Sequence, residues 1–433
     1  MSLLVVLAAI VLLVLLIVKK ISPMLALLAV SVVMGLFLGM PLPGVITAVN
    51  KGIGDTLAGT VMVLALGAFI GKLAEESGAA QKIVQVLVRA WGIKNIQWVM
   101  LCTGLLAGIP LFYNAGFVVL IPLAFAIAST TRLPMLYVGM PLTAALSVTH
   151  GFLPPHPGPV ALAGYFHADI GTTLLYGLII ALPVAVVAGV LFPRLLLRYT
   201  SGYAAPPPPA KKDTAVLPSA TKSFLIVLLP VVLITVGSAG AQLPLPGFIK
   251  PIFLFLQEPV LALLITVFFT LCVLPQPVSQ QMETGAAGIR SVALIILIIA
   301  AGGAFKQVLI DSGVGVLIKE KTEVLHLSPL FLGWLIAALF RVTLGSATVA
   351  AVAAAGMMVP FLDSGVSPEL LVLSVGAGSL FCSHVNDTGF WMFKEYFGLT
   401  LKQTFLSWTV MESIISLLGL AGVLLLSLVV LHH

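Results

Sequence analysis

Charged residues are scarce in this chain. Only 8% of its 433 residues are Asp, Glu, Lys or Arg, whereas soluble domains carry about 25%. Hydrophobic residues make up 60%, and the runs 3–18, 292–299 and 414–431 are almost purely aliphatic. Because about 20 apolar residues are enough to cross a bilayer, this composition excludes an ordinary soluble protein and indicates a membrane protein.

Motifs for disulfides, metals and nucleotides are also missing. The three cysteines, Cys102, Cys272 and Cys382, lie far apart in apolar segments, without the spacing of a disulfide framework or a zinc site. No GxxxxGK[ST] loop is present, so ATP does not drive the protein, and no HExxH motif or nucleophile-and-base pair stands out. We expect no cofactor and no metal. A distant alternative is an intramembrane metal-dependent hydrolase that uses His150, His156, His384 and Asp387.

Apolar runs between charged residues and Pro or Gly clusters predict eight membrane spans. They cover residues 2–18, 23–40, 57–73, 171–195, 223–241, 254–274, 289–309 and 405–431. Four further apolar regions are interrupted midway by polar, Gly and Pro residues. Two of them are predicted to be re-entrant helical hairpins, 96–130 and 329–362. The other two are predicted to be broken transmembrane helices, 133–166 and 366–392.

The chain divides into two related halves. The polar stretch 200–222 is predicted to be a cytoplasmic linker between a first repeat, 1–199, and a second repeat, 223–433. Gly-Ala-Phe at 67–69 and Ser-Gly at 77–78 return as Gly-Ala-Phe at 303–305 and Ser-Gly at 312–313. In each half these echoes precede a hairpin and then a break that contains a histidine. The matching order indicates an internal duplication.

Basic residues in the loops predict the orientation, because cytoplasmic loops retain Lys and Arg. With the N-terminus outside, most of the 21 Lys and Arg residues fall on the cytoplasmic side. Only Lys51, Lys250, Lys319 and Lys321 fall outside. The two halves then run in opposite directions and form inverted repeats. Since the basic residues flank membrane spans, the net charge of +6 does not indicate a nucleic-acid partner.

The interruptions predict a polar cavity. An unpaired backbone amide or carbonyl costs several kcal/mol in lipid, so a break at membrane depth persists only where protein or water surrounds it. The hairpin 96–130 is interrupted around Asn114, and the hairpin 329–362 around Ser346. Helix N-termini at such tips attract anions through their partial positive charge. The alternative is that small residues there only permit close helix packing.

Titratable side chains occupy the other two breaks. Residues 149–159 contain four prolines with His150 and His156, and proline in a helix interior costs about 3 kcal/mol. Residues 383–390 contain His384 and Asp387. Histidine titrates near physiological pH and can carry protons, although a histidine at such a position is often only hydrogen-bonded.

Two carboxylates lie at membrane depth. A carboxylate in a span is costly and by default marks a functional site, which we assign to Asp387. The alternative for Asp387 is a structural ion pair with Arg341 or Lys306. Glu412, in the last span, serves either a structural hydrogen bond or a proton relay, and the sequence leaves these alternatives open.

Four motifs resemble the gluconate permease family, whose members are sugar-acid:proton symporters of bacterial inner membranes. They are SVTHGFLPPHPGP at 147–159, GGAFKQVLIDSGV at 302–314, GSATVA at 345–350 and SHVNDTGFW at 383–391. The resemblance covers essentially the whole chain. It implies import of gluconate or a related sugar acid by proton symport. The distribution of Lys and Arg predicts that both termini lie in the periplasm. Another small polar carboxylate such as D-serine, or sodium coupling, remains an alternative, and a passive channel would not need paired breaks.

The family further resembles the wider ion-transporter superfamily. That likeness implies inverted repeats with re-entrant hairpins, an elevator-type movement of a transport domain, and a homodimer. Some relatives carry an acidic residue at the position of Asn114, where this chain has an amide. The candidates for proton coupling are therefore Asp387, His384 and His150.

We expect the substrate carboxylate to meet N–H groups and hydroxyls around Ser346, Thr348 and Asn114. We expect the hydroxyls of the sugar acid to meet Asn386, Asp387 and His150. The predicted substrate site as a whole consists of Tyr113, Asn114, Gly116, His150, Gly345, Ser346, Thr348, Asn386 and Asp387.

Overall fold

The structure is a computed structural model that describes residues 2–111, 113–199, 217–242, 246, 248–314 and 327–430. These residues form helices joined by short turns, and they include no strand. Most of the predicted linker 200–222 lies outside the described residues, as do Lys319 and Lys321.

The helices of the first half carry the labels α1 to α10. They are α1 Ser2–Val18, α2 Pro23–Phe37, α3 Leu42–Glu76, α4 Ala79–Trp91, α5 Ile96–Gly108, α6 Tyr113–Thr131, α7 Met135–Phe152, α8 Pro157–Phe166, α9 Ile170–Val186 and α10 Phe192–Tyr199. A π-helical turn, Val187–Leu191, joins α9 to α10.

The helices of the second half follow as α11 to α20. They are α11 Ala220–Gln242, α12 Lys250–Gln257, α13 Pro259–Val273, α14 Val278–Asp311, α15 Pro329–Leu344, α16 Ala347–Met358, α17 Pro368–Gly378, α18 Thr388–Phe397, α19 Leu401–Thr404 and α20 Val410–Val430. A π-helical turn, Phe405–Thr409, precedes α20.

Five described helical segments are long and apolar enough to cross a bilayer. They are Met135–Phe166, Ile170–Leu196, Ala220–Gly237, Val278–Asp311 and Leu401–Val430. Two bent pairs would raise the number to seven if each pair were one span. These pairs are Leu42–Ala58 with Thr60–Glu76, bent by 44°, and Lys250–Gln257 with Pro259–Val273, bent by 78°.

Three segments differ from the predicted spans. The region 254–274 is not one straight helix, because Pro259 forces Glu258 into an extended conformation and the chain turns by 78° there. The helices α3 and α14 have 35 and 34 residues and extend well beyond 57–73 and 289–309. Polar residues such as Asp55 end an apolar run without ending a helix, so hydropathy underestimated both lengths.

The long helices α3 and α14 pack closely along each other. At Gly303, an added Cβ would meet the Thr56 side chain and the Gly52 carbonyl oxygen of the facing helix. At Gly288, an added Cβ would meet the Ala68 carbonyl oxygen. Small residues let two backbones approach in this way inside a membrane. The helix α14 also packs against α16 and α8, which carry two of the interrupted segments.

Each interrupted region is divided by a short non-helical segment. Residues 109–111 follow the end of α5 and precede α6, and residues 153–156, which include a cis Pro154-Pro155 bond, separate α7 from α8. Two residues, Gly345 and Ser346, separate α15 from α16, and Gly345 adopts a φ of 77° that favours glycine. Residues 379–387 separate α17 from α18. The helix α17 packs on α7, α8, α15 and α20, which brings the breaks together inside the protein.

Candidate functional site

A cavity of about 320 Å³ lies where the four breaks meet. Its size is at the lower end of the range of small-molecule sites, about 300 to 1,000 Å³. Both hairpins, both broken helices, α14 and the last helix contribute to its wall. The predicted site residues that line it are Tyr113, Asn114, His150, Gly345, Ser346, Thr348, Asn386 and Asp387.

The remaining predicted residues do not line this cavity. Gly116 is buried, and an added Cβ would meet the Leu146 side chain at 2.9 Å, so this glycine permits close packing of α6 on α7. The Nε2 of His384 donates a hydrogen bond to the Val342 carbonyl oxygen at 3.1 Å, at the end of α15. His384 therefore connects the second hairpin to the second break.

Asp387 and Arg341 form an ion pair at the cavity wall. The Arg341 side chain is 3% exposed and that of Asp387 is 14% exposed. Arg341 also donates from Nη1 to the Gly345 carbonyl oxygen. Of the two partners considered for Asp387, Lys306 lies elsewhere, with its Nζ donating to the Tyr165 carbonyl oxygen at 3.2 Å.

Three donors hold the Asp387 carboxylate in place. Besides Arg341, the Ser383 hydroxyl donates to Oδ2 at 2.5 Å, and the Gly389 amide donates to Oδ1 at 2.9 Å. The last bond makes Asp387 the N-cap of α18. Ser383 is fixed in turn by Trp408, whose Nε1 donates to the serine Oγ at 2.8 Å. Hydrogen bonds to the charged form stabilise an ionised carboxylate.

The tip of the second hairpin lies directly on the second break. A Cβ at Gly345 would collide with the main-chain carbonyl group of Asn386. The Asn386 side chain donates to the Val342 carbonyl oxygen at 2.8 Å. Ser346 caps α16 by accepting a hydrogen bond from the Val349 amide at 3.4 Å. Since the first N–H groups of a helix have no partner within the helix, the tip offers donors to an anion in the cavity.

Aromatic and imidazole rings cluster around the start of α6 and the first break. Tyr113 lies edge-on to Trp408, with ring centroids 5.7 Å apart, and the His150 and His156 rings meet edge-on at 5.3 Å. The Tyr113 hydroxyl and the Nδ1 of His150 are buried and have no hydrogen-bond partner among the described residues. His156 donates from Nε2 to the Gly108 carbonyl oxygen at 2.6 Å, which ties the first break to the first hairpin.

Glu412 brings a second carboxyl group to the cavity. It is 1% exposed, and its Oε1 accepts a hydrogen bond from the Ser147 hydroxyl at 2.5 Å. This bond joins α20 to α7 across 265 positions of sequence. Both residues line the cavity, so the cavity wall contains Arg341, Asp387 and Glu412 as its Lys, Arg, Asp or Glu residues.

Four residues of the cavity wall are not among the predicted site residues. They are Arg341, which the sequence suggests only as a partner of Asp387, Glu412, whose role the sequence leaves open, and Ser147 and Trp408. The available signal was the presence of charged residues inside apolar segments, which holds for Arg341 and Glu412. Ser147 begins the motif at 147–159, whereas nothing in the sequence around Trp408 indicates a site.

The arrangement suits a polar organic anion. Arg341 and the start of α16 favour negative charge, and Asn114, Thr348 and Asn386 add neutral hydrogen-bonding groups. Among the described residues, no group of three or more His, Cys, Asp or Glu side chains is placed to hold a metal ion.

Comparisons with curated proteins give close relatives. The chain is 44% identical over 420 residues to the Gnt-II system L-idonate transporter of Escherichia coli (strain K12), with 95% of each chain covered. It is 43% identical to a high-affinity gluconate transporter of the same organism, with 99% of this chain and 100% of the relative covered. A gluconate permease of Bacillus subtilis (strain 168) is 42% identical, with 95% and 96% covered.

Comparisons with solved structures show the fold. The YdaH transporter of Alcanivorax borkumensis superposes with a TM-score of 0.66 at 18% identity, covering 96% of this chain and 98% of that one. The Neisseria gonorrhoeae protein MtrF superposes with a TM-score of 0.60 at 17% identity, covering 88% and 84%.

The family assignment follows from sequence. The sequence model of the GntP family permeases matches residues 1–429. This match confirms the resemblance carried by the four motifs, and it makes the chain a transporter and not an enzyme. Together with the apolar helices it identifies a multi-pass membrane protein. The full-length match and the identities to curated permeases and transporters show that this chain belongs to the GntP family of permeases.

Proposed function

We propose that this permease imports gluconate or a closely related sugar acid by proton symport across a bacterial inner membrane. The observation that carries the proposal is the cavity with a buried arginine and a helix N-terminus on one wall and hydroxyl, amide and imidazole groups around it. A sugar acid has one carboxylate and several hydroxyls, which need partners of these two kinds. The names of the relatives, L-idonate transporter and gluconate transporter, support the same substrate class.

The proposed pose has the substrate carboxylate at the start of α16. Ser346, Thr348 and Asn114 are its proposed neighbours, and Gly345 lets the hairpin tip that holds them pack on the Asn386 main chain. The buried Nε of Arg341, which has no hydrogen-bond partner among the described residues, supports a nearby anion.

The substrate hydroxyls have their own proposed neighbours on the opposite walls. The substrate hydroxyls form hydrogen bonds with Asn386, Asp387 and His150. The Tyr113 hydroxyl, which has no partner among the described residues, supplies one more polar group.

The proposed transport mechanism is of the elevator type. Each half contains one helical hairpin and one broken helix, and this correspondence supports two inverted repeats that form a moving transport domain. The fold likeness to the YdaH transporter along 96% of the chain is consistent with that architecture. A homodimer with both termini in the periplasm completes the proposal, the orientation being supported by the excess of Lys and Arg in the predicted cytoplasmic loops.

Uptake into proteoliposomes tests the proposal. Radiolabelled gluconate is supplied outside, first with an inward proton gradient and then with an inward sodium gradient at constant pH. We expect uphill accumulation with the proton gradient alone, and competition by unlabelled L-idonate but not by D-serine. Liposomes without protein serve as the control.

Each other outcome has a defined meaning. Accumulation driven only by the sodium gradient would show that sodium, and not the proton, is the coupling ion. Uptake that never exceeds equilibrium would indicate a passive channel. Uptake of radiolabelled D-serine by folded protein that does not transport gluconate would overturn the proposed substrate class.

A further inference from the structure

Glu412 differs from the other carboxylate at the cavity in its partners. Its Oε1 accepts one hydrogen bond, from Ser147, and no hydrogen bond to its second oxygen is found among the described residues. No ion pair of Glu412 is found in this part of the chain either. With 1% of its surface exposed, an ionised Glu412 would be an unpaired charge at membrane depth.

Asp387 is in the opposite situation. It accepts hydrogen bonds from Arg341, Ser383 and Gly389, and the arginine neutralises its charge. Protonation of Asp387 would leave the buried guanidinium without its counterion, which is costly in a buried pair. The geometry therefore commits the Asp387 carboxylate to its ion pair with Arg341. His384, another residue that the sequence suggests for proton coupling, donates a hydrogen bond to the Val342 carbonyl oxygen and does not line the cavity.

The balance of charges in the cavity leads to the same residue. Arg341 and Asp387 cancel, so an anionic substrate meets one further ionisable carboxyl group. Two unpaired negative charges in one buried cavity repel strongly, whereas a neutral Glu412 leaves only the charge of the substrate. The cavity thus admits one anion most readily together with one proton.

We infer that Glu412 is the residue that carries the symported proton, a role that rests on the proposed function of sugar-acid and proton symport. A proton from periplasmic water binds the unpartnered carboxylate oxygen of Glu412 as the substrate enters. The same proton leaves to cytoplasmic water when the substrate is released. Ser147 acts as a positioning residue that holds the carboxyl group in the wall between α7 and α20.

The surroundings of Glu412 contain few other titratable groups. Four of them share the cavity with Glu412: Arg341 of α15, Asp387 of the second break, His150 of α7 and Tyr113 of α6. The helices α9 and α17, which also pack on α20, contribute Tyr176 and Glu369. Glu369 lies in the first turn of α17 and accepts hydrogen bonds from Ser367 and from the Asp169 amide, near the helix start.

Glu412→Gln tests the inference, because glutamine keeps the shape of the side chain but cannot bind and release the coupled proton. The matched control is Glu395→Gln, whose side chain is 68% exposed and pairs with Lys394. We expect Glu412→Gln to lose proton-driven accumulation while it still exchanges gluconate across the membrane in counterflow. Wild type and Glu395→Gln should accumulate gluconate equally.

The pH dependence of gluconate binding gives a second readout. If one proton must bind with each substrate, the Kd of the wild type rises about tenfold per pH unit above the midpoint of titration. We expect Glu412→Gln to bind with a Kd that does not depend on pH. Asp387→Asn should keep the slope of the wild type, because the coupling carboxyl is still present.

Several results would overturn the inference. Proton-driven accumulation of gluconate by Glu412→Gln would overturn it. A Kd that is independent of pH in Asp387→Asn but depends on pH in Glu412→Gln would also overturn it. If Glu412→Gln does not fold, Ser147→Ala replaces it and should move the midpoint of the profile, whereas Ser367→Ala should not. An unmoved midpoint in Ser147→Ala would then refute the role. Absence of gluconate transport by the wild type would instead refute the proposed function.

Discussion

An alanine at Gly345 is expected to destabilise the protein more than an alanine at Gly365. Both glycines have a left-handed backbone, with φ of 77° and 75°. An L-residue in that conformation costs roughly 1 to 2 kcal/mol, and this cost is common to both variants. The two sites differ in space, because nothing lies within 4 Å of an added Cβ at Gly365, whereas one at Gly345 meets the Asn386 main chain.

The additional cost at Gly345 comes from that contact. Forcing a methyl group into a packed site costs about 1 to 3 kcal/mol. The tip of the hairpin has to move away from Asn386, which also disturbs the hydrogen bond from Arg341 to the Gly345 carbonyl oxygen. Thermal unfolding in detergent should therefore show a lower Tm for Gly345→Ala than for Gly365→Ala, with Gly365→Ala between it and wild type.

Gluconate binding should separate the two variants further. The displaced tip contains Ser346 and Thr348, and loss of one hydrogen bond to a charged ligand costs about 1.5 to 3 kcal/mol, roughly a 10-fold to 150-fold rise in Kd. We expect no such rise for Gly365→Ala. Equal Tm values and equal affinities in the two variants would refute the packing of the hairpin tip on the second break.

Three further predictions concern residues of the cavity wall. Asp387→Asn keeps the cap of α18 but leaves Arg341 unpaired, so its free energy of unfolding should fall by about 3 kcal/mol in denaturant unfolding. The double variant with Arg341→Met should regain most of that loss, and equal losses in the single and double variants would contradict the ion pair. Ser346→Ala and Ser367→Ala each remove a helix N-cap and should lower the free energy of unfolding by about 1 kcal/mol. Only Ser346→Ala should weaken gluconate binding, and an equal loss of affinity in both variants would contradict the proposed pose. Tyr113→Phe should leave the Tm of the substrate-free protein unchanged and raise the Kd by about 2-fold to 10-fold, because its hydroxyl has no partner in the described part of the chain; an unchanged Kd would exclude contact with the substrate.

Family membership and the interrupted regions were both visible in the sequence. A proline cluster such as 153–159, or a run such as Ser-His-Val-Asn-Asp at 383–387, cannot continue a helix in lipid without a large cost, so it stands out against apolar surroundings. Within the region 96–130 the structure has the helices Ile96–Gly108 and Tyr113–Thr131. These features were accessible because each arises from residues close together in the chain.

Helix lengths and bends were less accessible. Hydropathy marks where apolar residues end, but α3 and α14 continue through polar residues because these residues tolerate helical conformation and the two helices support each other by packing. The 78° bend before Pro259 had a local signal, the proline itself, within an otherwise uniform apolar run.

The sequence by itself determined that the chain is a membrane protein, that four of its apolar regions are interrupted, and which family it resembles. All three depend on composition or on contiguous motifs. Tertiary structure alone decided which polar residues meet. Arg341 and Asp387 are separated by 46 positions, and Ser147 and Glu412 by 265. In a membrane every buried polar group needs a partner, and the partner is chosen by the packing of whole helices, which no local pattern encodes.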